Sequence, residues 1–186
     1  MRPANHILLI GMMGSGKTTV GRLLAERMRC PFVDTDARLS AELGMSVSEI
    51  FEAYGEAKFR AEESRVLGEV LASDERTVVA VAGGAVMALR NRELVRSSGT
   101  VIWLRATPES LVARIGSGIG RPLLAGDPEG AIRRIDESRR SVYQSVAHIV
   151  VDVDGIEPLV VGGRIFEHLE HDPAASSSPE TKGGVP

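Results

Sequence analysis

The sequence predicts an α/β protein, a three-layer sandwich in which helices cover both faces of a five-stranded parallel sheet. Short apolar runs alternate with helical patterns along most of the chain. Each run is continuously apolar rather than alternating, which is typical of strands buried on both faces, as in parallel sheets. Strands that alternate with helices also favour parallel pairing through right-handed crossovers.

The predicted strands are the apolar runs themselves, at residues 6–10, 31–34, 78–82, 100–104 and 148–152. Helical spacing of apolar residues marks the segments between them. The clearest helical faces consist of Val20, Leu23, Leu24 and Met28, of Leu67, Val70 and Leu71, and of Leu111, Val112 and Ile115. These faces place helices after the first run, ahead of the third and after the fourth.

Two stretches depart from this alternation. Residues 37–63 carry helical signals without a strand, which predicts a helical insertion after the second strand. Residues 115–126 contain four glycines and a proline, too many for a stable helix, and we expect a mobile lid there. We expect residues 1–171 to form a single domain, and the polar, Pro/Gly-rich tail at 172–186 to be disordered.

Composition narrows the class of protein. The chain has 186 residues, 43% of them apolar and 25% charged, which fits one globular domain. The net charge of −3 disfavours a main role on nucleic acid. The single cysteine, Cys30, rules out an intramolecular disulfide bond, and no apolar run approaches the roughly 20 residues that span a bilayer. We therefore expect a cytoplasmic protein with no membrane or nucleic-acid partner.

A phosphate-binding motif follows the first predicted strand. Residues 11–18 read G-M-M-G-S-G-K-T and match G-x-x-x-x-G-K-[ST] without a mismatch, with an apolar run before them and a helical pattern after them. The glycines allow successive backbone N–H groups to face phosphate oxygens, and the helix adds the positive end of its dipole. Lys17 is expected to reach the β- and γ-phosphates and Thr18 to bind Mg²⁺. The sequence thus predicts a P-loop NTPase fold that binds a nucleoside triphosphate.

Two aspartates follow the second predicted strand, where ligands bind in open α/β sheets. Asp34 and Asp36 are separated by one residue, so in an extended segment their side chains point the same way. One could hold Mg²⁺ through water while the other accepts a proton from an attacking hydroxyl. Alternatively, Asp36 is the N-cap of the helix that follows. Spacing alone does not choose between these interpretations.

Other candidates are ambiguous by themselves. The pair Gly83-Gly84 is either a simple turn or a place where backbone N–H groups approach a ligand. Arg121, inside the predicted lid, could neutralise charge on a transferring phosphoryl group. Arginines at 60, 139 and 140 would ordinarily be surface charges, and the aromatic residues near Arg60 would ordinarily be core.

Taken together, these residues resemble the shikimate kinases, which are nucleoside-monophosphate-kinase-like enzymes. The resemblance runs from about Ile7 to about Pro158. It rests on motifs that occur in order behind the phosphate loop: Asp34-Thr-Asp36, Ile50-Phe51, Gly55-Glu56 with Phe59-Arg60, Gly83-Gly84-Ala85-Val86 and Arg121-Pro-Leu-Leu124. It implies transfer of the ATP γ-phosphoryl group to the 3-hydroxyl of shikimate, on the pathway to chorismate and the aromatic amino acids, by a monomeric P-loop kinase.

The resemblance also implies a role for each site residue. ATP would bind to Gly14, Ser15, Gly16, Lys17, Thr18, Thr19, Arg114 and Arg121, with Mg²⁺ held by Thr18 and, through water, by Asp34. Asp36 would bind the attacking hydroxyl and act as its base, with Lys17 and Arg121 as further catalytic residues. Shikimate would contact Asp36, Arg60, Gly83, Gly84, Arg139, Glu63, Phe51 and Phe59, its carboxylate being clamped by the two arginines.

Three positions depart from the family pattern. Ala82 stands where a third glycine is usual, Ile156 stands where an arginine is common near the adenine, and the run Arg139-Arg140-Ser141-Val142-Tyr143 lacks a common proline. Counting back from the tyrosine favours Arg139 over Arg140 as the clamp. The alternatives are another small-molecule kinase, such as a gluconate-type kinase, and a nucleotide-dependent switch. No evident Asn-Lys-x-Asp guanine motif supports a GTPase switch.

Overall fold

The computed structural model describes residues 5–116, 122–124 and 126–171. Arg121 and most of the glycine-rich part of the predicted lid lie outside these residues, as does the predicted tail at 172–186.

All five strands pair in parallel, as predicted. The strands are β1 (His6–Ile10), β2 (Phe32–Asp34), β3 (Val78–Ala80), β4 (Gly99–Arg105) and β5 (Ile149–Asp152), and their order across the sheet is β2-β3-β1-β4-β5. All five residues of the central strand β1 are buried, which explains its continuous hydrophobicity. From β1 the chain passes to the edge strand β2, returns to β3 beside β1, and then crosses to β4 and β5 on the other side. The carboxyl end of β1 therefore lies at the switch point where open α/β sheets bind ligands.

Helices cover both faces of the sheet. They are α1 (Lys17–Met28), α2 (Thr35–Leu43), α3 (Val47–Leu71), α4 (Leu89–Ser98), α5 (Pro108–Ile115), α6 (Pro128–Val146) and α7 (Pro158–His171), with short 3₁₀ turns at Ala85–Met87 and Pro122–Leu124. Helix α1 packs against α7, and α4 packs against α3. Within the described part of the chain, no helix is both long enough and apolar enough to cross a membrane.

The helical segment after β2 extends beyond the predicted insertion at 37–63. Helix α2 begins at Thr35, and α3 continues past Glu63 to Leu71. A capping box starts α3: the Ser46 hydroxyl accepts from the Glu49 N–H, and the Ser46 N–H donates to the Glu49 carboxylate. Gly55 interrupts α3 with φ 75° and ψ 170°, a backbone conformation almost restricted to glycine. Residues 37–63 thus lie in two helices, α2 and α3, the second of which is broken at Gly55.

Candidate active site

The phosphate loop connects β1 to α1 at the carboxyl edge of the sheet. Gly14 and Gly16 have positive φ values of 79° and 94°, which explains why this turn needs glycine. The Lys17 ammonium donates to the carbonyl oxygens of Gly11 and Met12 at 2.9 and 3.0 Å. The lysine therefore lies over the loop, and the loop, the lysine and the amino end of α1 together form a positively charged cradle.

Asp34 lies beside this cradle and is the N-cap of α2. Its Oδ1 accepts from the backbone N–H groups of Asp36 and Ala37, and its Oδ2 accepts from the Thr18 hydroxyl at 2.6 Å. The interpretation of Asp36 as the N-cap is therefore wrong. The expectation of an extended segment is also wrong, because the helix begins at Thr35 and Asp36 lies in its first turn. Both carboxylates nevertheless line the same cavity.

The pKa of Asp36 departs from the usual value of an aspartate. Burial raises the pKa of its carboxyl and the nearby Asp34 carboxylate raises it further, while Lys17 and Arg60 act in the opposite direction. A carboxylate with a raised pKa is a stronger base than an ordinary aspartate. This environment suits a group that accepts a proton from a bound hydroxyl.

Arg60 occupies the end of the cavity away from the phosphate loop. Its guanidinium pairs with Glu63 at 3.0 Å and with Glu56 at 3.3 Å. Glu63 is only 4% exposed; burial raises the pKa of its carboxyl, and Arg60 opposes that shift. A Cβ atom on Gly84 would collide with the Arg60 guanidinium, so this arginine would have to shift if residue 84 carried a side chain.

Arg139 faces the same cavity from α6. It is 8% exposed, whereas the side chain of Arg140 is 45% exposed and pairs with Asp136 at 2.7 Å. Of the two arginines that the sequence left as alternatives, Arg139 is the one that lines the cavity. Phe51 and Phe59 line the same end, and their ring centroids are 5.0 Å apart.

The turn after β3 joins the two ends of the cavity. The Gly83 carbonyl accepts from the Tyr143 hydroxyl at 2.7 Å, and a Cβ on Gly83 would lie 3.1 Å from the Gly11 carbonyl oxygen. Ala82, where the family has a further glycine, is buried in the core, and its N–H donates to the Thr35 hydroxyl at 2.9 Å. The extra methyl is therefore accommodated by the core.

Arg114 lies at the nucleotide end of the cavity. Its guanidinium donates to the carbonyl of Val153 at 2.7 Å and, at 3.4 Å, to that of Gly14, so it joins the phosphate loop to the segment after β5. That segment contributes lining residues that the sequence analysis did not name, namely Val153, Gly155 and Glu157. Their position after the carboxyl end of β5 was the available signal.

These residues share one cavity of about 830 Å³. The candidates that line it are Gly14, Ser15, Gly16, Lys17, Thr18, Thr19, Asp34, Asp36, Phe51, Phe59, Arg60, Glu63, Gly83, Gly84, Arg114 and Arg139. Arg121 lies outside the described residues. The cavity thus brings together the positively charged cradle of the phosphate loop, the Asp36 carboxylate with its raised pKa, and the two arginines Arg60 and Arg139.

The oxygens of Thr18 and Asp34 are the donors that suit a magnesium ion. Both are hard oxygen ligands, they are adjacent, and they lie beside the phosphate cradle. Within the described ranges, no group of three or more His, Cys, Asp or Glu side chains could hold a metal by itself. A metal here would therefore take its remaining ligands from phosphate oxygens and water, as Mg²⁺ does in nucleotide sites.

The fold and the site together define a P-loop kinase that acts on a small molecule. Comparison with known proteins identifies the family. The shikimate kinase family model matches residues 13–170. A shikimate kinase of Symbiobacterium thermophilum is 46% identical over 168 residues, covering 89% of this chain and 96% of that protein. The chain belongs to the shikimate kinase family and is an ATP-dependent kinase.

Solved structures agree. A shikimate kinase from Acinetobacter baumannii in complex with shikimate superposes with a TM-score of 0.87 at 33% identity, covering 91% of this chain and 94% of that one. A gluconokinase from Sinorhizobium meliloti gives a TM-score of 0.53 at 22% identity, covering 91% and 98% of the two chains. The likeness to the gluconokinase shows a shared fold and no more.

Proposed function

We propose that this chain transfers the γ-phosphoryl group of ATP to the 3-hydroxyl of shikimate and releases 3-phosphoshikimate and ADP. The observation that carries the proposal is the shared cavity, in which Lys17 and Asp36 lie together with Arg60 and Arg139. The likeness to a structure with bound shikimate supports the choice of acceptor.

The acceptor carboxylate binds between Arg60 and Arg139. Planar guanidinium groups form paired hydrogen bonds with carboxylates, and both arginines reach the cavity from different helices. Binding requires Arg60 to exchange part of its pairing with Glu63 and Glu56 for the substrate. Phe51 and Phe59 cover the apolar side of the ring.

Asp36 binds the 3-hydroxyl and accepts its proton as the oxygen attacks phosphorus. Its raised pKa favours this proton transfer, and its position between Lys17 and Arg60 holds the hydroxyl toward the phosphate loop. The substrate oxygen forms the new P–O bond as the bond between the γ-phosphorus and the bridging oxygen of ADP breaks. Positioning in a shared cavity supplies much of the rate enhancement.

Charge on the transferring group is met by the phosphate loop. Its backbone N–H groups and the Lys17 ammonium face the phosphates, and Arg114 lies at the nucleotide end. Thr18 and Asp34 would hold Mg²⁺, which, when bound, neutralises phosphate charge. We assign Arg121 and the 115–126 lid to closure over the phosphates, which would exclude water as a competing acceptor.

The test is ADP release measured in a coupled assay with and without shikimate. We expect turnover to depend on shikimate and to fall strongly with methyl shikimate, which keeps the hydroxyls but lacks the carboxylate charge. Gluconate serves as the matched hydroxy acid. ADP release at the same rate without shikimate, or faster turnover with gluconate, would reject the proposal.

We also propose a monomeric state, which the family resemblance implies, and a cytoplasmic location, which the sequence predicts. Size-exclusion chromatography with light scattering tests the first, and cell fractionation tests the second.

A further inference from the structure

Tyr143 connects the acceptor end of the cavity to the phosphate loop, although it does not itself line the cavity. It lies one helical turn after Arg139 in α6, and its side chain is fully buried. Its ring packs beside Trp103, with 5.8 Å between ring centroids, and its hydroxyl lies 3.9 Å from the Met12 sulfur in the phosphate loop. This residue is therefore fixed by the core below the site.

The Tyr143 hydroxyl makes a hydrogen bond of defined direction. It donates to the Gly83 carbonyl at 2.7 Å, and the Arg139 guanidinium lies beside it near the same glycine. Burial raises the pKa of Tyr143, so the hydroxyl keeps its proton near neutral pH and remains a donor to Gly83. Because it is bonded to the turn and lies beside the arginine, the hydroxyl can hold the two in a fixed relation.

The space around Gly83 shows how closely these groups meet. A Cβ placed on Gly83 would lie 3.4 Å from the Tyr143 hydroxyl, 3.6 Å from Arg139 Nη1 and 3.1 Å from the Gly11 carbonyl. The acceptor arginine, the turn after β3 and the phosphate loop are thus adjacent at one point. A shift of the Arg139 guanidinium would change the distance between the acceptor carboxylate and the phosphate loop.

We propose that Tyr143 is a positioning residue: its hydroxyl orients Arg139 and the Gly83 turn and so sets where the acceptor carboxylate lies. The inference deepens the proposed function and rests on it. The Tyr143 hydroxyl, rather than the packing of the ring, determines where the acceptor binds.

Tyr143→Phe tests this inference because it removes the hydroxyl and keeps the ring. We expect the KM for shikimate to rise about tenfold, the size expected for a hydrogen bond to a charged group, while the KM for ATP stays within about twofold. The emission of Trp103, the single tryptophan, reports whether the ring remains packed. Tyr54→Phe is the matched control, since Tyr54 is 54% exposed and is absent from the cavity.

A double-mutant cycle separates positioning from general destabilisation. If Tyr143 acts through Arg139, then adding Tyr143→Phe to Arg139→Lys raises the shikimate KM much less than it does in the wild type. Fully additive effects would overturn the inference. Equal changes in the KM for shikimate and for ATP, or no change in either, would also overturn it.

The failure of this inference is distinguishable from failure of the proposed function. A wild-type enzyme without shikimate-dependent ADP release would refute the function itself. Normal shikimate dependence in the wild type together with an unchanged Tyr143→Phe variant would refute only the role of the tyrosine.

Discussion

Single side chains in this site take their chemical properties from neighbours that are distant in sequence. The Lys17 ammonium is held over the phosphate loop by two carbonyls of that loop. Asp34 is a helix cap and a partner of Thr18, and Asp36 is half-buried and has a raised pKa. The proposed function therefore gives different roles to two aspartates that look equivalent in the sequence: Asp34 would hold a metal, and Asp36 would accept a proton.

Lys17→Ala removes the charge that, in the proposed function, interacts with the transferring phosphoryl group. We expect kcat to fall about 100-fold or more, because the ammonium stabilises charge that develops in the transition state. Steady-state kinetics at saturating ATP measure this effect. Lys58→Ala is the control, since Lys58 is exposed and pairs only within its helix. A near-normal kcat for Lys17→Ala would contradict the assignment of the phosphate loop.

The neighbouring arginines of α6 provide a direct comparison. Arg139→Lys keeps the charge but loses the planar, two-pronged geometry, so we expect the shikimate KM to rise roughly tenfold or more. Arg140→Lys should change it by less than about twofold, because Arg140 is half-exposed and pairs with Asp136. Initial-rate measurements over a range of shikimate concentrations decide between them. A larger effect at Arg140 would reverse the assignment.

At the level of elements, the strands were predictable and the boundaries of the helical insertion were not. Strands buried on both faces leave a continuous apolar signal, as β1 and β3 do. The start of α2 depends on which aspartate caps it, and residue types alone do not distinguish Asp34 from Asp36. The break at Gly55 is set by backbone conformation within one continuous helical pattern, so the sequence did not reveal it.

Two glycines of α3 should respond oppositely to the same substitution. Gly55→Ala forces a side chain into a positive-φ conformation, so we expect the free energy of unfolding to fall by about 1–3 kcal/mol. Gly68→Ala lies in regular helix with no atom near the added Cβ, so we expect a gain of about 0.5–1 kcal/mol. Urea denaturation measures both. Changes of the same sign would show that the break at Gly55 is not a fixed feature.

Across the whole molecule, the sheet separates a reactive carboxyl edge from an amino edge that serves stability. The motifs identified which residues meet at the carboxyl edge: some follow a strand or form the phosphate loop, whereas Arg60 and Arg139 reach the cavity from α3 and α6. Tyr143 escaped this reasoning because the role proposed for it depends on a contact with Gly83 that is made across the fold. Such contacts leave no pattern in a single sequence.

Two histidines lie at the amino edge of the sheet. The Nδ1 atom of His6 accepts from the Thr77 N–H, and that of His148 accepts from the Val101 N–H. Burial lowers the pKa of both rings; carbonyls of Leu71 and Ser73 oppose the shift at His6, and Arg96 adds to it at His148. Both rings are therefore held in the neutral form.

The free energy of unfolding should consequently depend on pH through His6. The unfolded chain binds a proton at His6 near pH 6.5, whereas the folded chain does so only at lower pH. Protonation of His6 therefore favours the unfolded chain, and the free energy of unfolding falls as the pH drops below about 6.5. Asp36 and Glu63 have raised pKa values in the folded chain, so their protonation increases the free energy of unfolding as the pH falls. The contribution of His6 is therefore measured as the difference in the free energy of unfolding between a His6 variant and the wild type.

His6→Gln keeps a hydrogen-bond acceptor without a titrating proton. We expect its free energy of unfolding to fall less than that of the wild type between about pH 7.5 and about pH 5.5. His171→Gln, at an exposed position near the end of α7, is the control and should follow the wild type. Urea titrations at each pH measure the slopes. Equal slopes for His6→Gln and the wild type would exclude His6 as the source.

The central claim is that nucleotide and acceptor lie side by side in one cavity, and a crystal structure with ADP and shikimate bound tests it most directly. We predict the shikimate carboxylate between Arg60 and Arg139, a ring hydroxyl on Asp36, and the ADP phosphates over the loop at Lys17. Shikimate bound elsewhere, or side chains filling the space beside Asp36 and Arg60, would contradict the account.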